Sequence, residues 1–290
     1  VGRYPLKLAD LVVHPLDKQV ASPKLTWASS PELEWKDIES VGLGNDRFYR
    51  PMEVAKDHQP YSGAVMSIDP AGMGKDETAY AVVKILNGQL FLVASGGFLG
   101  GYTPEILKAL GKIAKDNKVN EIIVESNFGD GMFTQLLKPV LAGDVNYPCT
   151  IEEVKHSIQK ERRIIDTLEP VMNSHRLVVD PQVIRGDLLV GESSYNGDID
   201  SSLRQSLTGN NQLYQLFYQL SRITFEKGAL RHDDRLDALA IAVGYWVEHM
   251  EKHIGQGITD YNEEQIEKGL ERFMESHNKL WGRSERTTWM

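Results

Sequence analysis

The chain of 290 residues has a single cysteine, Cys149, which excludes an intramolecular disulfide framework and a cysteine-rich zinc site and fits a reducing cytoplasm. It has no apolar run approaching the roughly 20 residues that span a bilayer and no basic, apolar leader, so no membrane partner is expected. Val1 stands where an initiating methionine would, as expected of a fragment or processed piece. An excess of positive charge is lacking too. Lys and Arg number 32 against 41 Asp and Glu, a formal net charge of −9. That argues against a generic basic nucleic-acid coat, but it leaves room for an enzyme whose acidic site holds cations and whose DNA groove is only locally basic. The remainder, 41% hydrophobic and 25% charged, is ordinary for a soluble globular protein and long enough for one large domain, or one domain with appendages.

The densest chemistry lies in Arg231-His232-Asp233-Asp234-Arg235-Leu236-Asp237-Ala238, three carboxylates in five residues. Beyond it Leu236, Leu239, Ala240, Val243 and Val247 recur at helical spacing, which predicts a helix with an apolar stripe facing a core. His232 or Asp233 then falls at the N-cap. Asp234 and Asp237, three apart, share a face, where they raise each other's pKa unless a cation sits between them. Acids in a first helical turn commonly do no more than complement the macrodipole. Two further acids change the balance. Ala64-Val65-Met66-Ser67-Ile68 ends in Asp69, and Glu121-Ile122-Ile123-Val124 ends in Glu125. Both acids stand at the carboxyl ends of near-continuous apolar strands, hence central positions in one sheet, and ligand sites of open α/β sheets lie beyond those ends.

In chain order, residues 1–60 carry scattered prolines and anchors such as Trp27, Trp35 and Tyr49, and read as an arm or linker that packs onto something. Strand 64–69, strand 78–86, the turn Asn87-Gly88 and strand 89–95 make an antiparallel meander. Thr103-Pro104-Glu105 opens a helix to about 117 with Thr as N-cap. The Glu125 strand follows, then a helix over 130–141, a strand near 149–154, a basic helix over 157–174 and strand 176–179. Residues 180–210 read as a loop or flexible insertion. A helix over 211–221 and a hairpin-like 222–230 lead into the acidic cluster. After 250 a polar helix and tail carries Trp281 and Trp289. The order predicts an α/β fold with a mixed sheet flanked by helices. Gly72-Met73-Gly74-Lys75-Asp76 is no phosphate loop, because G-x-x-x-x-G-K-[ST] needs Gly at 69 and Ser or Thr at 76; it reads as a β-turn.

With the first acid on the first strand of a meander, the second ending the fourth strand and the third opening a late helix, the chain resembles the RNase H-like nuclease and integrase superfamily. Ser67-Ile68-Asp69-Pro70-Ala71, Val124-Glu125-Ser126 and His232-Asp233-Asp234-Arg235-Leu236-Asp237-Ala238 look like the nuclease domain of a tailed-phage terminase large subunit, and the Gly-Met-Gly-Lys-Asp-Glu-Thr turn looks like its podophage branch. The resemblance covers roughly residues 60–250. It implies an RNase H-like nuclease domain over 61–250, an arm over 1–60 from an absent ATPase domain, and a helical tail over 251–290.

By that resemblance the activity is metal-dependent endonucleolytic cutting of concatemeric DNA by two-metal hydrolysis. A histidine-poor, cysteine-free acidic site suits two Mg²⁺ or Mn²⁺ ions. Asp69 would bridge both, Glu125 hold one and Asp234 the other, with Asp237 a direct ligand or an outer residue. Asp233, His232 and Asp130 are auxiliary candidates. Lys155, Lys160, Arg162 and Arg163 are candidates for phosphate contacts to double-stranded DNA, although a mixed-charge helical face is commonly just solvated. The implied partners are the terminase ATPase domain, the portal protein and the small terminase subunit, in the host cytoplasm. Two other classes remain open. A junction resolvase or transposase of the same fold would prefer branched DNA, and a non-catalytic portal or ATPase docking module would bind no metal.

Overall fold

The computed structural model describes residues 3–72, 76–126, 131–189, 211–250, 266–268 and 271. Residues Val1–Trp246 form one compact unit and Val247–Met290 a second. The described residues of the second unit, 247–250, 266–268 and 271, are helical. Among the described residues no helix is long and apolar enough to cross a membrane.

Five short strands open the chain: β1 (Val12–Val13), β2 (Val20–Ala21), β3 (Leu25–Thr26), β4 (Glu53–Val54) and β5 (Gln59–Pro60). The long strands β6 (Gly63–Asp69), β7 (Thr78–Leu86) and β8 (Gln89–Phe98) form the expected meander. Asn87 and Gly88, at φ 50° and 75°, make its tight turn, the left-handed pair that matches strand twist. Helix α1 (Pro104–Asp116), strand β9 (Glu121–Glu125), helix α2 (Met132–Ala142), strand β10 (Thr150–Val154), helix α3 (Lys160–Asn173) and strand β11 (Leu177–Val179) follow. Thr103 caps α1, its side chain accepting from the Ile106 N–H, with Pro104 in the first turn. Helices α4 (Pro181–Leu188) and α5 (Leu216–Arg222) precede α6, which opens at residue 234.

The seven-stranded sheet runs β1-β11-β8-β7-β6-β9-β10. Strand β7 is antiparallel to β6 and β8, whereas β6, β9 and β10 are parallel neighbours. The alternation of a pleated strand then sorts the side chains. Met66, Ile68, Ile122 and Val124 pack with Ile106, Leu110, Phe133 and Leu137 of α1 and α2. Ser67, Asp69, Ile123 and Glu125 have the opposite parity and face the other side. There the Ser67 hydroxyl donates to the Ala238 carbonyl of α6, and the Trp246 indole donates to the Val83 carbonyl at 3.0 Å. The acids at the ends of β6 and β9 are thereby turned toward α6.

Residues 3–60 pack onto this same sheet. Strand β1 pairs with β11, Leu6, Leu8, Leu11, Val12 and Val13 are buried, and the Trp27 and Trp35 indoles donate to the Ala9 and Val13 carbonyls at 3.0 Å each.

Two segments differ from expectation. Residues 181–188, expected within a loop, are helical because the Asp180 carboxylate accepts from the Gln182 N–H at 2.7 Å and Pro181 follows it, a cap and a first-turn proline in succession. Residues 222–230 form no hairpin: Arg222 ends α5 and the segment continues as an irregular turn, pinned where the Gly228 N–H donates to Glu161 at 2.6 Å. Residues 73–75 of the glycine turn, most of 180–210, and Trp281 and Trp289 lie outside the described residues.

Candidate metal centre

Strand register delivers the first two acids side by side. Ile68 pairs with Val124, so the next residues, Asp69 and Glu125, end adjacent parallel strands. Asp69 is 7% and Glu125 5% exposed. Helix α6 brings the third. Its first turn docks through buried Leu236 and Ala238, and Asp237, wholly buried, meets the pair from across the layer. Oxygens of Asp69, Glu125 and Asp237 lie within 4.8 Å of one another.

Helix α3 supplies compensating charge. Lys160 Nζ stands 2.9 Å from Asp237 Oδ2, 2.9 Å from Asp233 Oδ1 and 3.5 Å from Asp69 Oδ2. One turn on, Arg163 Nη2 donates to Asp237 Oδ1 at 2.6 Å and reaches Glu125 Oε1 at 3.5 Å. His156 Nδ1 lies 3.1 Å from the same Glu125 oxygen. Burial raises the pKa of Asp69 well above the ordinary value, with Lys160 opposing and Asp237, Glu125 and Asp234 adding to the rise. Asp237 is raised for the same first reason, against Lys160 and Arg163. Glu125 goes the other way: burial acts to raise it, but the His156 hydrogen bond, Arg163 and Lys160 outweigh burial. On Lys160 burial acts downward and is overcome by Asp69, Asp237 and Asp233, which hold the ammonium charged.

These acids suit a hard cation. Asp237 Oδ2 is buried, with the Lys160 ammonium 2.9 Å away as its cationic partner. Three buried carboxylates this close need positive charge among them, and oxygen-rich sites are those of Mg²⁺ and Mn²⁺.

Asp234 belongs to a neighbouring group. Its carboxylate lies with those of Asp76 and the His232 ring, again within 4.8 Å, and burial, opposed by Lys160 and assisted by Asp233, Asp76 and Glu77, pushes it up to about 7. Asp233 faces Lys160. Asp130 lies outside the described residues. Of the basic candidates, Lys160 and Arg163 turn to the acids, while Lys155 is exposed and Arg162, 67% exposed, pairs with Asp166 at 3.5 Å.

Sequence reasoning missed His156 and Asp76. Parallel register would have found the first, because Val154 pairs with Glu125 and His156 lies two residues beyond. Nothing local marks Asp76. Gln219 is a third omission: its Oε1 accepts the Leu236 N–H at 3.0 Å, satisfying a free donor of the first turn of α6 that Asp233 would otherwise cap.

A meander joined by parallel strands, with acids ending two adjacent strands and a third arriving on a late helix, defines an RNase H-like domain. Residues 68–177 match the family described as Terminase Bacteriophage T7, Ribonuclease H-like domain. The chain is 39% identical over 249 residues to the terminase large subunit of Enterobacteria phage T3, covering 86% of the chain and 40% of that protein. It therefore spans less than half the length of that relative. Solved structures with similarity include the large terminase nuclease from thermophilic phage G20c, 11% identical with a TM-score of 0.41 over 82% of this chain and 95% of that one. Another is the human cytomegalovirus terminase nuclease domain, manganese-soaked and inhibitor-bound, 12% identical with a TM-score of 0.42 over 63% and 82%.

Proposed function

We propose that the chain is the nuclease part of a phage terminase large subunit, a metal-dependent endonuclease that cuts concatemeric double-stranded DNA as genome packaging starts and ends. The observation that carries it is the convergence of Asp69, Glu125 and Asp237 at the carboxyl ends of β6 and β9. Two divalent ions, Mg²⁺ or Mn²⁺, supply a nucleophilic water and neutralise charge on the phosphoryl oxygens when bound. Asp69, Glu125 and Asp237 hold one ion, and Asp234 contributes to the second. Arg163 fixes the rotamers of Glu125 and Asp237, and His156 orients Glu125 from its outer side. Lys160 neutralises the acids before cations enter. Exposed Lys155, ahead of α3, and Arg162, in its first turn, contact DNA phosphates without regard to sequence. The activity belongs in the infected host cell, beside the ATPase domain of the same subunit, the portal and the small terminase subunit.

Plasmid cleavage tests the proposal. With Mg²⁺ or Mn²⁺ the parent nicks and linearises supercoiled DNA, chelator abolishes it, and Asp69→Asn lowers the rate on the order of 10³-fold with the fold intact. A folded parent that binds no divalent ion in calorimetry refutes it. Cleavage confined to four-way junctions would transfer the chain to the resolvases.

A further inference from the structure

We propose that Asp76, His232 and Asp234 form a second cation site of mixed nitrogen and oxygen donors, one that takes Mn²⁺ or Zn²⁺ in preference to Mg²⁺. It deepens the nuclease reading by naming the donors of the second ion, and rests on that reading only for its effect on cleavage.

Three observations carry it. His232 Nδ1 lies 3.3 Å from Asp76 Oδ1 yet makes no hydrogen bond, and Asp234 Oδ2 is likewise buried without one. The His232 side chain is only 8% exposed, so water does not satisfy that nitrogen from outside. A plain ion pair would place an N–H along the line to the carboxylate; here the geometry for that bond is absent. A lone pair facing a carboxylate is repulsive, and a cation between them makes it attractive. The spacing fits, since ligands about 2.1 Å from one ion in tetrahedral or octahedral array stand roughly 3.0–3.4 Å apart.

The ring is also held in advance. Tyr214 stacks on it with centroids 4.2 Å apart and planes 20° from parallel, which limits the freedom lost on binding. Asp76 comes from the segment before β7 and the other two donors from the opening of α6, so an ion here ties α6 to the sheet. The donor types set the preference. An imidazole nitrogen favours Zn²⁺ or Mn²⁺ over Mg²⁺, which demands oxygen ligands and keeps its waters.

The test loads the full chain, carrying ¹⁵N-histidine, with Mn²⁺ and reads nitrogen coupling by electron spin echo beside a calorimetric titration. The parent is expected to show coupling from a directly bound histidine, and His232→Gln to lose it together with one bound ion. Exposed Asp76→Asn, the variant least able to disturb folding, is expected to weaken that ion roughly 10-fold or more. Asp69→Asn is expected to remove the other ion and keep the coupling. Absence of coupling in the loaded parent overturns the proposal. So does coupling that survives His232→Gln, which would assign the nitrogen to another histidine, such as His156 beside Glu125. Loss of only the ion sensitive to Asp69 would strike the first centre and leave this one standing.

Discussion

Two buried acidic groups flank the first turn of α6, and they differ in how their oxygens are satisfied. On one side Arg235 lies between Glu77 and Asp187, all at most 5% exposed. Its Nε and Nη2 donate to the two Glu77 oxygens at 2.8 and 2.9 Å, and Nη1 to Asp187 Oδ1 at 3.3 Å. The remaining capacity of Asp187 accepts the Leu216 and Phe217 N–H groups at 2.8 and 3.0 Å, capping α5. Every oxygen there has a donor. On the other side Asp69, Glu125 and Asp237 share one ammonium, one guanidinium and the His156 ring, with Lys160 divided among Asp69, Asp233 and Asp237. Similar burial and similar residue types thus yield a scaffold in one case and a site in the other. The difference is donor geometry, because a closed network fixes a fold while an open one leaves coordination positions for a ligand.

The sharpest way to break the contrast is substitution on each side. Arg235→Leu strands two buried carboxylates and is expected to cost about 3–5 kcal/mol of stability in denaturant unfolding. Asp237→Asn, by relieving repulsion among acids, is expected to leave stability within about 1 kcal/mol while cleavage is lost. Equal destabilisation by both would erase the distinction. A second effect concerns Lys160. Lys160→Ala removes the cation that competes for the acids, so calorimetry should show divalent ions binding roughly 10-fold tighter. Weaker binding would make Lys160 a support of the site rather than a competitor.

The smallest effect is in pH. Burial, opposed by Arg235 and by the N–H groups of Phe217 and Leu216, pushes Asp187 up to about 6 from its ordinary 3.8. The folded state therefore binds this proton more tightly than the unfolded state does. The associated stability is fully present below about pH 3.8 and is lost as pH rises through about 6. Between pH 7 and 5 the parent should gain about 1 kcal/mol more than Asp187→Asn does. Identical pH profiles would show that Asp187 is ionised throughout.

Much of the sheet was legible because strand signals are local. The apolar runs ending in Asp69 and Glu125, the Asn87-Gly88 turn and the Thr103-Pro104 cap each declare themselves within a few residues. Asp180-Pro181 is equally local, and a reading weighted by the Gly, Ser, Asp and Asn content of 180–210 passes over it. The division of labour between Asp234 and Asp237 is of another kind. Both sit in one turn, about 60° apart around the helix, and only the docking of α6 through the Ser67 to Ala238 bond and Leu236 decides which meets Asp69. The roles of Lys160 and Arg163 are hidden for the same reason: their three-residue spacing shows a shared face, not what that face meets.

The contacts that close the centre join residues far apart along the chain. Lys160 and Asp69 are separated by 91 positions and Arg163 and Asp237 by 74, and the scaffold pair Arg235 and Glu77 by 158. The meander of β6, β7 and β8, by contrast, pairs neighbours in sequence. During synthesis the first two acids emerge some hundred residues ahead of the third. Loop closure is costly before long-range contacts form, so the centre is completed only when α6 arrives, and a nascent chain stalled before residue 231 carries Asp69 and Glu125 without their third carboxylate.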